Sequence, residues 1–324
     1  MDNSLISQFE GKKCIVTGGA GFIGSNLSRF LKKIGAEVRV IDNFFTGSKE
    51  NIVDFKNLGI EVLNLDITNQ EETEFCYKNI DFVFHHAALA SVPYSIQNPF
   101  LSRHHNVKGT QSVLKNSVIS GVAKIIFASS SAVYGDTTII PTNELVETNP
   151  QSPYAEQKLE GELYCSNLNF NEVRATSLRY FNVFGPYQDP KSQYSAVIPK
   201  FIDSAIKGND LIIYGDGRST RDFVFVEDVI QANLISATSN DSDGEVINIA
   251  TGQTISISEL AEIIIEITGS KSKILYEKPR EGDIIHSAAD IMKAKKILGY
   301  QPQITLKAGL SRTIDYFIKI NLYD

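Results

Sequence analysis

The chain has 324 residues, of which 42% are hydrophobic and 21% charged, so it can form one large globular domain or two closely joined ones. Its formal net charge of −7 gives no general attraction for nucleic acid or an anionic membrane, and no apolar run approaches membrane-spanning length. We therefore expect neither a nucleic-acid partner nor a membrane partner. Three widely spaced cysteines and a polar N-terminus without a secretory-type apolar core favour a cytoplasmic protein with reduced thiols.

The polar segment 1–10 is expected to be flexible, and the strongest pattern of the chain follows it. An apolar strand beginning at Cys14 leads into a glycine-rich turn, then a helix, then a second apolar strand. Glycines at 19, 21 and 24 match G-x-G-x-x-G, and Gly18, Gly21 and Gly24 give a second register. Without a Cβ, these residues let the backbone approach a pyrophosphate, whose charge the helix N-terminus meets. This order of elements predicts a dinucleotide site.

Two acidic residues follow strands of the predicted sheet. Asp42 ends the second strand, where its carboxylate can accept hydrogen bonds from the adenine ribose hydroxyls. The 2′-phosphate of NADP would face this carboxylate, and no arginine directly follows it, so the sequence favours NAD. Asp66 ends the third strand. It could contact the adenine amino group or simply cap the helix that follows, and both alternatives stay open.

The fourth strand runs into His85-His86-Ala87-Ala88. The small side chains of Ala87 and Ala88 would let a ligand pass close to the backbone. Adjacent histidines on an extended segment point to opposite faces, and no H-E-x-x-H or C-x-x-C motif occurs. We therefore expect structural histidines and no metal site.

A serine-rich strand end and a Tyr-x-x-x-Lys helix predict redox chemistry on a hydroxyl. The fifth strand runs into Ser129-Ser130-Ser131, and the helix that starts at Pro153 places Tyr154 and Lys158 on one face. A free tyrosine of pKa about 10 is ionised to only about one part in a thousand at pH 7. A neighbouring ammonium and a positive nicotinamide ring would lower its pKa, so that the phenolate can take a proton from a sugar hydroxyl. A serine hydroxyl would hold the developing oxyanion.

Together these residues resemble the extended short-chain dehydrogenase/reductase family, and in particular the bacterial UDP-N-acetylglucosamine 4-epimerases among the nucleotide-sugar epimerases. The similarity covers essentially the whole chain after Glu10. It rests on six segments, which are Thr17 to Gly24, His86-Ala87-Ala88, Ser129 to Gly135, Tyr154 to Lys158, Arg179 to Gly185 and Arg221-Asp222-Phe223.

The resemblance implies a role for individual residues. Ser130, Tyr154 and Lys158 would be catalytic, and Arg221 and Arg280 would clamp the UDP pyrophosphate. The NAD-binding residues would be Gly18, Gly21, Phe22, Ile23, Gly24, Asp42, Asp66, Ile67, Ala87, Ala88, Tyr154, Lys158 and Tyr180. The sugar nucleotide would contact Ser130, Ser131, Tyr154, Asn182, Tyr214, Arg221, Arg280, Asp283 and Ser287. Within this set, Tyr214 could stack on uracil and Asp283 would bind the uridine ribose.

Two departures from related enzymes narrow the expected reaction. The 4,6-dehydratases and decarboxylases of the family carry carboxyl groups just after the catalytic hydroxyl, whereas this chain has Ser131 and Ala132 there. Epimerases confined to non-acetylated hexoses carry a bulky tyrosine at the position of Ser287. A small residue leaves room for a 2-acetamido group, because overpacking a pocket wall costs about 1–3 kcal/mol.

We expect an α/β fold: a doubly wound, mostly parallel sheet over 11–181, joined by segments near 222–250, and a smaller substrate lobe over 182–324. The predicted function is NAD-dependent, reversible C4 epimerisation of UDP-GlcNAc and UDP-GalNAc, or of their uronic acids. A UDP-glucose or UDP-glucuronate 4-epimerase is the near alternative. A non-catalytic NAD-sensing protein is the distant one. The family also implies a homodimer formed through the helices after Asn106 and Pro153.

Overall fold

The computed structural model describes residues 3–168, 173–190, 196–279 and 285–321. The α-helices of these ranges are α1 (Asn3–Ser7), α2 (Phe22–Lys33), α3 (Phe55–Leu58), α4 (Gln70–Thr73), α5 (Val92–Gln97), α6 (Pro99–Arg103), α7 (Gly109–Ile119), α8 (Pro153–Ser166), α9 (Val197–Ile206), α10 (Val226–Thr238), α11 (Ile257–Thr268), α12 (Met292–Leu298) and α13 (Leu306–Asn321). The strands are β1 (Lys13–Thr17), β2 (Glu37–Asp42), β3 (Glu61–Asn64), β4 (Phe82–His85), β5 (Lys124–Ser130), β6 (Arg174–Tyr180), β7 (Val183–Phe184), β8 (Leu211–Tyr214), β9 (Thr220–Arg221), β10 (Val224–Phe225), β11 (Val246–Ile249), β12 (Ile255–Ser256), β13 (Ile274–Glu277) and β14 (His286–Ser287).

Seven strands form one parallel sheet in the order β3-β2-β1-β4-β5-β6-β11. The order reverses between β1 and β4, and a crevice for ligands opens at the carboxyl ends of strands at such a reversal. The predicted doubly wound α/β fold is therefore confirmed. Helix α10 packs on β5 and β6, and β11 completes the sheet, so the segment near 222–250 returns to this part of the molecule.

Apart from the edge strand β3, the strands of this sheet are mostly buried on both faces, as parallel strands with helices on each side must be. In β1, Val16 belongs to the hydrophobic core on one face and Ile15 to the core on the other. The same alternation places Ile126 and Phe127 of β5 on opposite faces. Because side chains alternate along a strand, this burial fixes the register of the sheet. The carboxyl ends of the strands are thereby held at constant positions.

The predicted flexible N-terminus is wrong for residues 3–10. Residues Asn3–Ser7 form helix α1, Leu5 is buried, and Phe9 is fully buried with its ring centroid 5.5 Å from that of Phe82. The prediction failed because the polar residues of this segment hide an apolar stripe of Leu5, Ile6 and Phe9. Burying such a stripe against the sheet offsets the cost of ordering the chain.

Smaller sheets build the C-terminal lobe. Strand β9 lies between β12 and β14, β13 pairs in parallel with β8, and β10 pairs with β7. The capping box of Ser256 and Glu259 starts α11, and Gly269 in the left-handed conformation ends it. These short strands bring segments that are distant in sequence to the carboxyl edge of the large sheet.

Candidate active site

The glycine turn between β1 and α2 leaves no room for side chains. Gly18 has a φ of +69°, and a Cβ there would lie 2.6 Å from the backbone nitrogen of Ala87. A Cβ on Gly24 would lie 2.2 Å from the carbonyl oxygen of Gly18. Helix α2 begins after Gly21, which has no side chain to cap it, and Phe22 and Ile23 are its first residues. The N–H groups of this first turn can therefore bind an anionic group such as the pyrophosphate of NAD.

A cavity of about 80 Å³ opens beside this turn at the ends of β1, β2 and β4. Six of the predicted NAD ligands line this cavity, namely Gly18, Gly21, Asp42, Ile67, Ala87 and Ala88. The nearly buried Asp42 carboxylate accepts hydrogen bonds from the backbone N–H groups of Ala20 (2.9 Å) and Phe44 (2.8 Å). Burial raises the pKa of Asp42, and these two bonds oppose the shift. Each oxygen keeps a lone pair that a ribose hydroxyl can use.

Asp66 has partners within the protein. Its carboxylate accepts hydrogen bonds from the backbone N–H of Thr68 (2.8 Å) and the side-chain amide of Asn43 (2.9 Å). The wall of the cavity at this point is formed by Leu65 and Ile67. These contacts form a local turn and not a helix cap, because α4 is capped by Asn69, and the adenine contact of Asp66 stays a prediction.

The predicted catalytic residues meet where β5 ends and α8 begins. Ser152 caps α8, and the buried side chains of Tyr154 and Lys158 follow one turn apart. Tyr154 forms a hydrogen bond with Ser130, the last residue of β5. The Lys158 Nζ donates to the carbonyl oxygen of Ala128 (2.6 Å) and lies 5.9 Å from the centroid of the Tyr154 ring. Ser131, half-buried, follows Ser130 in a short 3-10 helix.

Burial dominates the ionisation of both groups. It raises the pKa of Tyr154, which the hydrogen bond with Ser130 partly offsets. It lowers the pKa of Lys158 to about 8, against the opposing effect of the Glu162 carboxylate. The shift at Tyr154 is opposite to the one predicted from the neighbouring ammonium, because a phenolate in a dry site loses its hydration. A further positive charge beside the phenol is therefore needed for the tyrosine to act as a base.

A buried ion pair behind these residues was not predicted. Glu162, one turn after Lys158 on α8, accepts two hydrogen bonds from the guanidinium of Arg179, at 2.8 and 2.7 Å. It also accepts one from the hydroxyl of Ser129. The pair joins α8 to the ends of β5 and β6, and so fixes Lys158 relative to Ser130. The four-residue spacing from Lys158 to Glu162 shows that both side chains lie on one face of α8. It does not show that Arg179 of β6 is the partner of Glu162.

Tyr180 is the last residue of β6 and lies opposite Ser130 in the strand pairing. Its hydroxyl donates to Asn233 (3.0 Å) and lies 3.2 Å from the Nε2 of His86. His86 lines the cavity beside the glycine turn, and Tyr180 packs against His86 on the side away from the cavity. His85, in contrast, is held by Thr17 (2.7 Å) and by Thr110 and has the expected structural role.

A second cavity, of about 290 Å³, lies in the C-terminal lobe. It is lined by Asn182, Tyr214 and Arg221, three of the predicted substrate ligands. The Asn182 amide donates to the carbonyl oxygen of Asp222 (3.0 Å). Asn182 follows β6 by two residues, so one wall of this cavity lies near the carboxyl end of the large sheet.

The pairing of β14 with β9 places Ser287 opposite Arg221. The neighbouring carboxylate of Asp222 is fully buried and accepts hydrogen bonds from the backbone N–H groups of Thr251 (2.9 Å) and Gly252 (2.8 Å). This anchors the strand that carries Arg221 to the loop after β11. The other two predicted ligands of this region, Arg280 and Asp283, lie outside the described residues.

Comparison with known proteins agrees with this geometry. Residues 14–250 match the model of the NAD dependent epimerase/dehydratase family. The chain belongs to this family. A Methanocaldococcus jannaschii protein named as a putative UDP-glucose 4-epimerase is 40% identical over 93% of this chain and 97% of its own length. The predicted family and the NAD dependence are thereby confirmed, and the chain is an enzyme of the NAD-dependent UDP-sugar epimerase family.

Two solved structures are similar over nearly the whole chain. The UDP-N-acetylglucosamine 4-epimerase of Methanobrevibacter ruminantium, in complex with UDP-N-acetylmuramic acid, is 38% identical with a TM-score of 0.91, covering 96% of this chain and 99% of that one. The UDP-glucose 4-epimerase of Thermus thermophilus, in complex with NAD, is 32% identical with a TM-score of 0.85, covering 94% and 99%. The relatives thus include enzymes for both acetylated and plain sugars.

The described residues also bear on metal ions and membranes. Within the described ranges, no group of three or more His, Cys, Asp or Glu side chains is arranged to hold a metal ion. The helices of those ranges include none that is both long and apolar enough to cross a bilayer.

Proposed function

We propose that the chain catalyses reversible inversion at C4 of UDP-GlcNAc and UDP-GalNAc, or of their uronic acids. The observation that carries the choice of acetylated sugars is Ser287. Its small side chain stands opposite Arg221 on the strand pair that borders the substrate cavity. The similarity to a UDP-N-acetylglucosamine 4-epimerase supports the same choice.

In the proposed mechanism, Tyr154 removes the proton from the 4-hydroxyl of the sugar and later returns it. The hydroxyl of Ser130, hydrogen-bonded to Tyr154, holds the oxygen at C4 while the carbon is a ketone. NAD, held by the glycine turn and Asp42, would supply the hydride acceptor and donor for C4, and the positive charge of its nicotinamide ring would oppose the effect of burial on Tyr154. Lys158, held by Ala128, keeps a second positive charge beside the phenol.

The glycine turn, Asp42, Ile67 and Ala87 would hold NAD, because they form a cavity that combines a helix N-terminus with a carboxylate suited to a ribose. The UDP moiety would occupy the second cavity. There the guanidinium of Arg221 would bind the pyrophosphate and the half-exposed ring of Tyr214 would stack on uracil. Asn182 would contact the sugar, and Arg280 and Asp283 remain proposed ligands.

The carboxyl groups that dehydration and decarboxylation require are missing at Ser131 and Ala132. Epimerisation of UDP-glucose stays the second candidate, because the Methanocaldococcus jannaschii relative carries that name. Assaying UDP-GlcNAc, UDP-GlcNAcA, UDP-glucose and UDP-glucuronate side by side separates the candidates. Turnover of the plain sugars alone would replace the proposal. Turnover of none of them would favour an NAD-sensing protein.

The reaction itself is tested by incubating purified protein with UDP-GlcNAc and no added NAD. We expect UDP-GalNAc to form, because the hydride leaves and returns within one turnover and the cofactor is retained. Denaturing the protein should then release NAD in an amount close to that of the protein. A need for stoichiometric NAD, with accumulation of NADH, would instead mean that the enzyme is a net oxidoreductase.

We also propose a homodimer and a cytoplasmic location. The two helices expected to form the dimer, α7 and α8, carry the exposed apolar side chains of Ile119 and Leu163, and the neighbouring α6 carries that of Phe100. Pairing of these helices with those of a second copy would cover them. Light scattering of the wild type and of Phe100→Glu checks this proposal, and a monomeric wild type would contradict it.

A further inference from the structure

Two aromatic rings meet at the cavity beside the glycine turn. Phe45 lies in the loop after β2, and His105 lies in a single π-helical turn between α6 and α7. Their ring centroids are 5.0 Å apart with an interplanar angle of 34°. The two residues are 60 positions apart in sequence, so the contact links two separate walls of the same cavity.

The part of the cavity that they border is suited to adenine. Asp42 is the proposed ligand of the adenosine ribose, and the apolar side chains of Leu65 and Ile67 line the same cavity. Phe45 and His105 also line it, and Asn43 links the Phe45 N–H to Asp66, which lies between Leu65 and Ile67. An adenine placed between the apolar side chains and the two rings would be covered on both faces.

The loop that carries Phe45 is held in place. The side chain of Asn43 accepts a hydrogen bond from the Phe45 N–H (3.0 Å) and donates one to Asp66 (2.9 Å). At Gly47, a Cβ would come within 2.7 Å of an Asp42 carboxylate oxygen. The loop is therefore tied down on both sides of Phe45, and its ring is presented at a fixed position.

Packing in the hydrophobic core does not explain the position of the Phe45 ring. Phe45 is 49% exposed, so its burial adds little to the stability of the fold. An exposed aromatic that borders a nucleotide cavity gains most when a base stacks beside it. This distinguishes Phe45 from the exposed Phe75, which lies away from the cavity on a 3-10 helix.

We propose that Phe45 and His105 form a latch across the adenine end of the site and slow the release of bound NAD. Both rings must separate before the adenine can leave. An epimerase returns its hydride in each turnover and gains nothing from exchanging cofactor, so slow release suits the proposed reaction. The inference rests on the NAD site of the proposed function and concerns its cofactor rather than its sugar.

The latch is tested by loading the protein with NADH and following its fluorescence after mixing with excess NAD. Phe45→Ala and His105→Ala should each speed release about 10-fold, because either change removes the same ring–ring contact. The double variant should be no faster than the faster single variant, because opening either side opens the latch. Phe45→Tyr and His105→Phe, which keep a ring, should retain slow release, and Phe75→Ala is the matched control.

Release at the wild-type rate in both alanine variants would overturn the proposal. Multiplicative effects in the double variant would also overturn it, since the two rings would then act separately. Thermal unfolding with saturating NAD verifies that each variant is folded. Because only NADH and NAD are used, the result is the same whichever sugar the enzyme epimerises, and a wrong sugar assignment is seen in the product assay instead.

Discussion

The two halves of the candidate site are built in different ways. The dinucleotide half is formed mainly by one continuous stretch, β1 to β2, through the glycine turn and Asp42, and the segments after β3 and β4 add Ile67 and Ala87. The substrate half is assembled from Asn182, Tyr214, Arg221 and Ser287, which arrive on four separate segments. In the proposed site, cofactor binding would therefore depend mainly on local geometry, whereas substrate choice would depend on tertiary packing. Between the halves lie Ser130, Tyr154 and Lys158, where the two ligands must meet.

The strongest test of this comparison removes the group between the halves. Tyr154→Phe should lower kcat by about 10²–10⁴-fold, the usual contribution of a general acid–base group, while both ligands still bind. Turnover is measured by separating UDP-GlcNAc from UDP-GalNAc, and NAD content by denaturing the purified protein. Full activity of this variant would refute the assignment of Tyr154. Loss of bound NAD would show that the phenol serves the cofactor half alone.

The next test breaks the dinucleotide half. A Cβ in Gly24→Ala would lie 2.2 Å from the Gly18 carbonyl, so the turn must open. We expect NAD affinity to fall about 100-fold, as titration of NAD-free protein with NADH would show. Gly121→Ala is the control for backbone strain alone, because its φ of +66° disfavours a side chain but nothing lies within 4 Å of the added Cβ, and its NAD affinity should equal that of the wild type. Equal affinity in wild type and Gly24→Ala would mean that the turn tolerates a side chain and is not the pyrophosphate site.

The same contrast explains what the sequence could predict. The glycine turn, Asp42 and the Tyr154–Lys158 pair lie within single elements, where fixed spacing implies fixed geometry. Ile67 and Ala87 follow strands, and parallel strands end at one edge of the sheet, so they were predictable too. The Glu162–Arg179 pair and the Phe45–His105 contact join segments that only tertiary packing brings together. The raised pKa of Tyr154 was missed for the same reason, because burial is a property of the assembled site.

The substrate half is tested at Ser287, the residue proposed to decide between acetylated and plain sugars. Ser287→Tyr should lower kcat/KM for UDP-GlcNAc about 10-fold or more and leave UDP-glucose unaffected, because a ring at this position would fill the space proposed for the acetamido group. Ser287→Ala, which keeps the space, is the matched control. Equal losses for both sugars would place Ser287 outside the acetamido pocket.

A smaller effect is expected at Arg221, the residue proposed to bind the pyrophosphate of the UDP-sugar. Arg221→Lys keeps the charge but loses the planar fork, so KM for the UDP-sugar should rise about 10-fold with kcat nearly constant. Arg218→Lys is the control, because this arginine lies just before β9, the strand of Arg221, and is exposed. NAD content should stay at the wild-type level in both variants. A fall in kcat alone would move Arg221 from the binding of UDP to the chemical step.

The smallest effect is expected in the pH dependence of kcat, which tests Tyr154 and Lys158 at the proposed junction of the two halves. The active form needs an ionised Tyr154 and a protonated Lys158. Burial raises the pKa of Tyr154, so the phenolate fraction grows as pH increases. Burial also lowers the pKa of Lys158 to about 8, so the ammonium is lost above that pH. The two trends cancel above about pH 8, and kcat should rise with pH up to that point and then level off. Lys158→Arg stays charged, and its kcat should continue to rise through pH 9. A wild-type profile that also rises steadily through pH 9 would mean that Lys158 keeps its proton there, and that the ionisation of Tyr154 alone sets the rate.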